Sequence, residues 1–170
     1  MIPGRREDSG VIGPPEGVNP ALRAAALGVR AKELGITVPE TPAGIWGVIA
    51  DLGLPNGSAT LVALADGTAS LYWGESGGVI GGQSHESVRE AVGLAVNAME
   101  KCAAQLTATG VHALPAAGHV RLYAHGRAAL ISSEELPLSV VAGGDHPLAS
   151  CFSAINDVIT QLRRVSSAVS

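Results

Sequence analysis

Two closely spaced turn signals constrain the fold of this chain more than any other feature. Asn56-Gly57 and Asp66-Gly67 are dipeptides typical of tight β-hairpin turns. They separate three short runs rich in β-branched and apolar residues, at positions 45–51, 60–65 and 68–73. The pattern predicts three antiparallel strands joined as a meander.

Both faces of the predicted meander are apolar. Leu61 and Ala63 point to one side of their strand, whereas Val62 and Leu64 point to the other. A sheet with one solvated face would alternate apolar with polar residues. We therefore expect the sheet to be covered on both sides, and helices can supply that cover.

The rest of the chain supplies these helices and two more strands. Apolar residues at helical spacing predict helices, and the alternating runs on either side of Gly126 predict a second hairpin. The predicted elements are a helix over 20–34 that stops at Gly35, a helix over 84–108, strands over 119–125 and 127–132, and a last helix from Pro147. A short edge strand over 138–141 is a further option. The prediction is an α+β fold of order α-βββ-α-ββ-α, with a central antiparallel sheet of about five strands and helices on both faces.

The chain divides into three segments. Residues 1–18, rich in glycine, proline and charge, are expected to form a flexible tail. Residues 19–42 are expected to form an N-terminal helix and a stiff linker, and residues 43–166 a single domain. The sequence leaves open whether the N-terminal helix packs on its own domain or on a neighbour.

Charge and hydropathy exclude several classes of partner. Eleven basic and fifteen acidic residues give a net charge of −4, which argues against nucleic acid and anionic membranes. No apolar run is long enough to span a bilayer. Arg5 and Arg6 are followed by Glu7 and Asp8 where a signal peptide would be apolar. We expect a cytoplasmic protein.

The surface of this protein carries little charge. Charged residues make up 15% of the chain, against roughly 25% in soluble domains. Weak charge gives weak protection against association. The composition favours a homo-oligomer or a stable protein partner, and a coding bias towards alanine and glycine explains it equally well.

Gly74-Glu75-Ser76-Gly77-Gly78 has the form of a nucleophile elbow directly after a strand. An elbow needs an immediate strand-to-helix turn, but five residues intervene before the helix. In a chain with 22 glycines a chance match is easy. Ser76 is therefore a weak catalytic candidate, with His85 as a weak candidate base.

Gly77, Gly78, Gly81 and Gly82 form a glycine-rich stretch ahead of a predicted helix, where free backbone N–H groups can bind anions. The stretch lacks the lysine of a phosphate-binding P-loop and the spacing of a dinucleotide fold. The alternative, which we favour, is that the glycines let the chain cross tightly over the sheet.

Other polar residues give weaker signals. Asp51 is either catalytic or the start of a polar loop, and His146 with its neighbours fits a helix cap. Cys102 and Cys151 lie in apolar helical stripes and predict buried thiols, and no cysteine–histidine spacing supports a metal site. No cofactor is expected. Core use is the default expectation for Trp46 and Trp73.

The segment over 45–82 resembles a family of small bacterial proteins that has no assigned activity. The shared features are the Gly-Leu-Pro-Asn-Gly turn at 53–57, the Leu-Val-Ala-Leu strand at 61–64 and the Asp-Gly-Thr-Ala-Ser-Leu-Tyr hairpin at 66–72. The resemblance continues through 120–123 and from 146–148 to 158–160, but it transfers no functional residue. In topology alone the chain also resembles roadblock/LC7, longin and profilin-like domains, although roadblock domains place two strands before the middle helix. That resemblance implies a dimeric scaffold.

Two functions remain open. The first is a non-enzymatic homodimeric adaptor of the bacterial cytoplasm, which fits the low charge, the two apolar faces and the lack of a coherent catalytic set. The second is a small ligand-binding domain or hydrolase that uses the glycine-rich stretch with Ser76, His85 or Asp51. We favour the first.

Overall fold

The structure is a computed structural model that describes residues 20–74, 77–108, 110 and 112–167. Within these residues the helices are α1 (Pro20–Gly28), α2 (Glu86–Cys102), α3 (Leu138–Ala142) and α4 (Ala149–Ser167). The strands are β1 (Gly47–Leu54), β2 (Gly57–Leu64), β3 (Ala69–Trp73), β4 (Gly77–Ile80), β5 (Thr107–Ala108), β6 (His119–His125), β7 (Leu130–Ser132) and β8 (Leu136–Pro137). Among the described helices, none has the length and apolar character needed to cross a membrane.

All strands join one antiparallel sheet, in the order β4-β3-β2-β1-β6-β7-β5, with β8 also paired to β6. The prediction of an α+β fold around an antiparallel sheet is confirmed. The sheet is larger than the predicted five strands, because β4, β5 and β8 are short or glycine-rich and carry little strand signal. β1 lies at the centre of the sheet, between β2 and β6.

The predicted meander forms as expected. β1 and β2 are joined at the Asn56-Gly57 signal, where Leu54 pairs with Gly57. At the second turn the Asp66 carboxylate accepts the N–H of Thr68 at 2.9 Å, and Gly67 adopts a φ of +90°, a conformation that favours glycine. These local bonds fix the register of the first three strands.

The antiparallel helices α2 and α4 pack together on one face of the sheet. The predicted stripe of α2 is buried there, and it meets the inward side of α4 and the alternate residues of β1, β2 and β6. Fully buried members of this core include Val48, Leu61, Met99, Leu122 and Ile155. The burial of apolar area on this face is the main stabilising contribution.

The opposite face is covered by α1 and a short 3-10 helix, Ala31–Leu34. A smaller cluster joins them to the sheet. Its buried members are Leu27, Ala31, Ile36, Trp46, Ile49, Val62, Leu64 and Tyr123. The N-terminal helix therefore packs on its own domain.

Several predicted elements differ in the structure. The helix expected over 20–34 is interrupted after Gly28, and the helix expected over 84–108 ends at Cys102 and continues as a 3-10 turn. Residues 138–142 form α3, not an edge strand, because Val141 turns into the helical core. The tail over 1–18 lies outside the described residues.

Charged side chains anchor the linker before β1 to the domain. The Glu100 carboxylate accepts the N–H groups of Ala43 and Ile45 at 2.7 and 2.9 Å. Burial alone would raise the pKa of Glu100, but these hydrogen bonds outweigh it and the pKa is lowered. Arg127 donates to the carbonyls of Pro39 and Thr41. These bonds hold the linker in place.

Candidate functional site

The glycine-rich stretch is a strand edge followed by a tight turn. Gly77 and Gly78 belong to β4, and Gly81 has a φ of +84°. Gly82 is buried, and a Cβ there would lie 2.7 Å from Leu162 Cδ2 and 2.8 Å from Val88 Cγ1. This close approach supports the interpretation that the glycines allow tight passage over the core.

A shallow groove of about 320 Å³ runs beside this stretch. It is lined by Gly78, Val79, Ile80, Gly81, Gly82, His85, Val165 and Ser166. His85 occupies the position before α2, but its side chain caps no helix N–H. Among the described residues that line the groove, none is a lysine or an arginine, so these residues offer an anion no counter-charge. Ser76 lies outside the described residues.

Asp51 lies in the middle of β1, not at the end of a strand, and its side chain is fully buried on the α1 face. Thr60 donates to Oδ1 at 2.6 Å. Arg23, from α1, donates to Oδ2 from Nε at 3.0 Å and from Nη2 at 2.7 Å. Asp51 thus joins two strands to the N-terminal helix, and it does not begin a polar loop.

The Arg23 guanidinium gathers further partners around Asp51. Nη2 also donates to the His112 carbonyl and to Tyr123 Oη, the latter at 3.3 Å. Burial alone would lower the pKa of Arg23, yet the Asp51 carboxylate outweighs it and raises this pKa. Burial, followed by the negative charge of Asp51, raises the pKa of Tyr123. The result is a buried, charge-paired polar cluster.

His125 forms a second polar contact with α1. Its ring stacks on Trp46 with centroids 4.4 Å apart, and Nε2 lies 2.8 Å from the Ala26 carbonyl. An acceptor at that position fixes the tautomer with the proton on Nε2. Burial lowers the pKa of His125, against the opposing effect of the Ala26 bond.

The weak candidates do not form one site. Asp51 in β1 lies opposite Thr60 in β2. Thr60 in turn lies opposite Tyr72 in β3, and Tyr72 lies opposite Gly78 in β4. Three strand spacings put the Asp51 and Gly78 backbones about 14 Å apart. Asp51 faces α1, whereas His85 begins a helix on the opposite face. No combined catalytic arrangement of these residues follows.

The cysteines are buried, as predicted. Cys151 Sγ lies 3.8 Å from Met99 Sδ, and burial raises the pKa of Cys151 to about 12. A thiol of such high pKa is a poor nucleophile. Within the described ranges, no group of three histidine, cysteine or acidic side chains is placed to hold a metal ion.

Arg23 and the His112 carbonyl are members of the polar cluster that the sequence does not reveal. One signal was present: Asp51 interrupts an apolar strand, and a buried carboxylate requires a cation. The sequence does not say which of its eleven basic residues supplies it.

No protein-family model matches the chain, and neither the curated proteins nor the solved structures include a significant match.

Proposed function

We propose that this protein is a non-enzymatic adaptor that works as a homodimer, formed by antiparallel pairing of β4 with β4 of a second copy. The observation that carries the proposal is the exposure of Ile80, which is 70% accessible at the edge of the sheet. A large apolar side chain on an unpaired strand edge suits an interface.

The composition of β4 favours pairing. Edge strands are commonly protected by charged residues, prolines or bulges. Residues 77–84 contain no charged residue and no proline. Trp73 lies against the same edge, since a Cβ on Gly77 would fall 2.3 Å from Trp73 Nε1. Trp73 is 44% exposed, contrary to the expectation of a core position.

The register of the proposed pairing follows from side-chain size. A two-fold axis through Val79, normal to the sheet, places Ile80 opposite Gly78 of the second copy on the same face. Gly78 offers no side chain there, and its neighbour in β3 is the half-buried Tyr72. Ile80 of each copy then covers Gly78 of the other copy and contacts its Tyr72, so the two-fold axis produces this contact twice.

Light scattering behind size exclusion, over a range of concentrations, tests the proposal. We expect the wild type to have the mass of a dimer and Ile80→Lys to have the mass of a monomer. Leu94→Lys is the matched control, because Leu94 is 63% exposed on α2 but lies away from β4. A wild-type monomer, or an Ile80→Lys variant that remains dimeric, would overturn the proposed interface.

A further inference from the structure

The N-terminal helix α1 has less apolar contact with the sheet than α2 and α4 have. It buries only Leu27, and its backbone approaches the sheet less closely than the backbones of α2 and α4 do. Leu27 itself lines an open groove of about 440 Å³, so its packing is incomplete. A segment with few buried apolar contacts opens at a lower free energy than the core of the same domain.

Much of the polar contact between α1 and the sheet comes from one side chain. The Arg23 guanidinium donates to the Asp51 carboxylate at 2.7 and 3.0 Å, and it also donates to the His112 carbonyl and to Tyr123 Oη. Because a single guanidinium makes these bonds, they form and break together. We therefore expect α1 to be held against the sheet, or released from it, as one unit.

The chain that follows α1 is held in place by contacts of its own. Ala31 is buried in the 3-10 helix, and the hydrogen bonds of Arg127 and Glu100 anchor the linker after it. Between α1 and these anchors lie residues 28–30. Outside its own helix, Gly28 has open space where a side chain would be, and residues 29 and 30 belong to no helix or strand. α1 can therefore turn away about residues 28–30 while the linker stays in place.

We propose that α1 is a hinged lid, which opens as a unit and uncovers the sheet face under it while the linker and the α2/α4 core stay folded. The buried residues on the two faces form separate apolar clusters, which allows one face to open without the other. The uncovered surface includes Trp46, Ile49 and Tyr123, together with the Asp51 carboxylate. The lid involves no residue of β4, so it does not depend on the proposed dimer.

Thiol labelling of the full chain tests the lid. Val48 and Ile49 are neighbours in β1 and are both fully buried, but they face opposite sides of the sheet. Ile49→Cys places a thiol on the α1 face, and Val48→Cys places a matched thiol on the α2/α4 face. Each variant is treated with iodoacetamide under native conditions, and mass spectrometry measures the labelling rate at the new thiol. We expect position 49 to react at least about tenfold faster than position 48.

Urea below the unfolding midpoint separates local from global opening. Labelling at position 48 requires the core to unfold, so its rate should rise steeply with urea concentration. Labelling at position 49 through the lid exposes little surface, so its rate should rise only slightly. Equal rates with the same urea dependence at both positions would show that α1 opens only with the whole domain, and would overturn the proposal.

A further substitution tests whether Arg23 holds the lid closed. Adding Arg23→Ala to Ile49→Cys should accelerate labelling at position 49 by about 10–100-fold, because the lid loses its contacts with Asp51. Adding Arg89→Ala is the control and should leave the rate unchanged, since Arg89 is exposed on α2 and bonds the Gln83 carbonyl. An unchanged rate with Arg23→Ala would refute this role of Arg23.

A second reporter on the α1 face covers the case in which Ile49→Cys disturbs the fold. Val62→Cys places a thiol in the same apolar cluster with a smaller change in side-chain volume. Far-UV circular dichroism checks that each variant folds. Position 62 should also react faster than position 48 and depend only slightly on urea, and the opposite result would count equally against the lid.

Discussion

The two faces of the sheet are stabilised in different ways. On the α2/α4 face a continuous apolar core joins the two longest helices to the strands. On the α1 face a smaller apolar cluster is combined with an ion pair and a histidine contact. The first face depends mainly on buried area, which is not directional. The second depends also on hydrogen bonds, which need particular partners at particular distances.

This difference explains how the N-terminal helix is held. α1 spans only Pro20–Gly28 and buries a single residue, Leu27. So short a helix is marginal by itself in water. The Arg23–Asp51 pair and the contact of His125 with the Ala26 carbonyl add directional bonds to this small apolar contact. We infer that α1 is placed by polar contacts that its own sequence pattern does not reveal.

The largest expected effect concerns the α2/α4 face. Ile155→Ala in α4 removes a fully buried side chain, so we expect the free energy of unfolding to fall by about 2–5 kcal/mol. Leu27→Ala on the α1 face should cost less, about 1–2 kcal/mol, because Leu27 also lines an open groove. Urea denaturation measures both. Leu94→Ala, at an exposed site, is the control and should change stability by less than ~0.5 kcal/mol. If Leu27→Ala lowered the free energy of unfolding more than Ile155→Ala, the α1 face would contribute more stability than the α2/α4 face, contrary to this prediction.

The same contrast explains what could be predicted from the sequence. The α2 stripe was predicted correctly because every third or fourth residue is apolar, and burial follows that period: Val88, Ala91, Val92, Ala95, Val96, Met99 and Cys102 are all buried. The hairpins of the meander were predicted correctly because their turn residues act locally, whereas the strand expected over 127–132 forms only over Leu130–Ser132. Both signals lie within a few residues of the element they specify.

Features that depend on contacts between residues far apart in the sequence could not be predicted from local sequence patterns. β4 is a strand because β3 offers an edge to Gly77 and Gly78, although glycine is depleted in strands. Residues 138–142 have strand-like composition but form α3, with Leu138 N donating to the Gly118 carbonyl. Asp51 stands out in the sequence as a polar residue in an apolar strand, yet its partner Arg23 lies 28 residues away in sequence. Tertiary contacts decide all three cases.

The second prediction tests the ion pair on the α1 face. Arg23→Ala leaves the fully buried Asp51 carboxylate without its cation. Breaking a buried pair costs about 3–5 kcal/mol, and because Arg23 keeps some exposure we expect about 2–3 kcal/mol. Adding Asp51→Asn to Arg23→Ala should recover about 1 kcal/mol or more, since the neutral amide still accepts from Thr60. Urea midpoints of the two single variants and the double variant measure this coupling. Additive losses would mean that the pair does not hold α1.

The smallest effect is a pH dependence on the same face. The pKa of His125 is lowered in the fold, so below about pH 6.5 the unfolded chain takes up a proton that the native ring does not. Stability should therefore be complete above that pH and decrease as the pH falls towards the folded pKa, by at most about 1.4 kcal/mol per unit. His125→Gln can still donate to the Ala26 carbonyl, and it should flatten the slope between about pH 7 and 5.5. Equal slopes in the wild type and His125→Gln would show that the histidine contact contributes no pH dependence, and would leave the ion pair as the principal polar contact of α1.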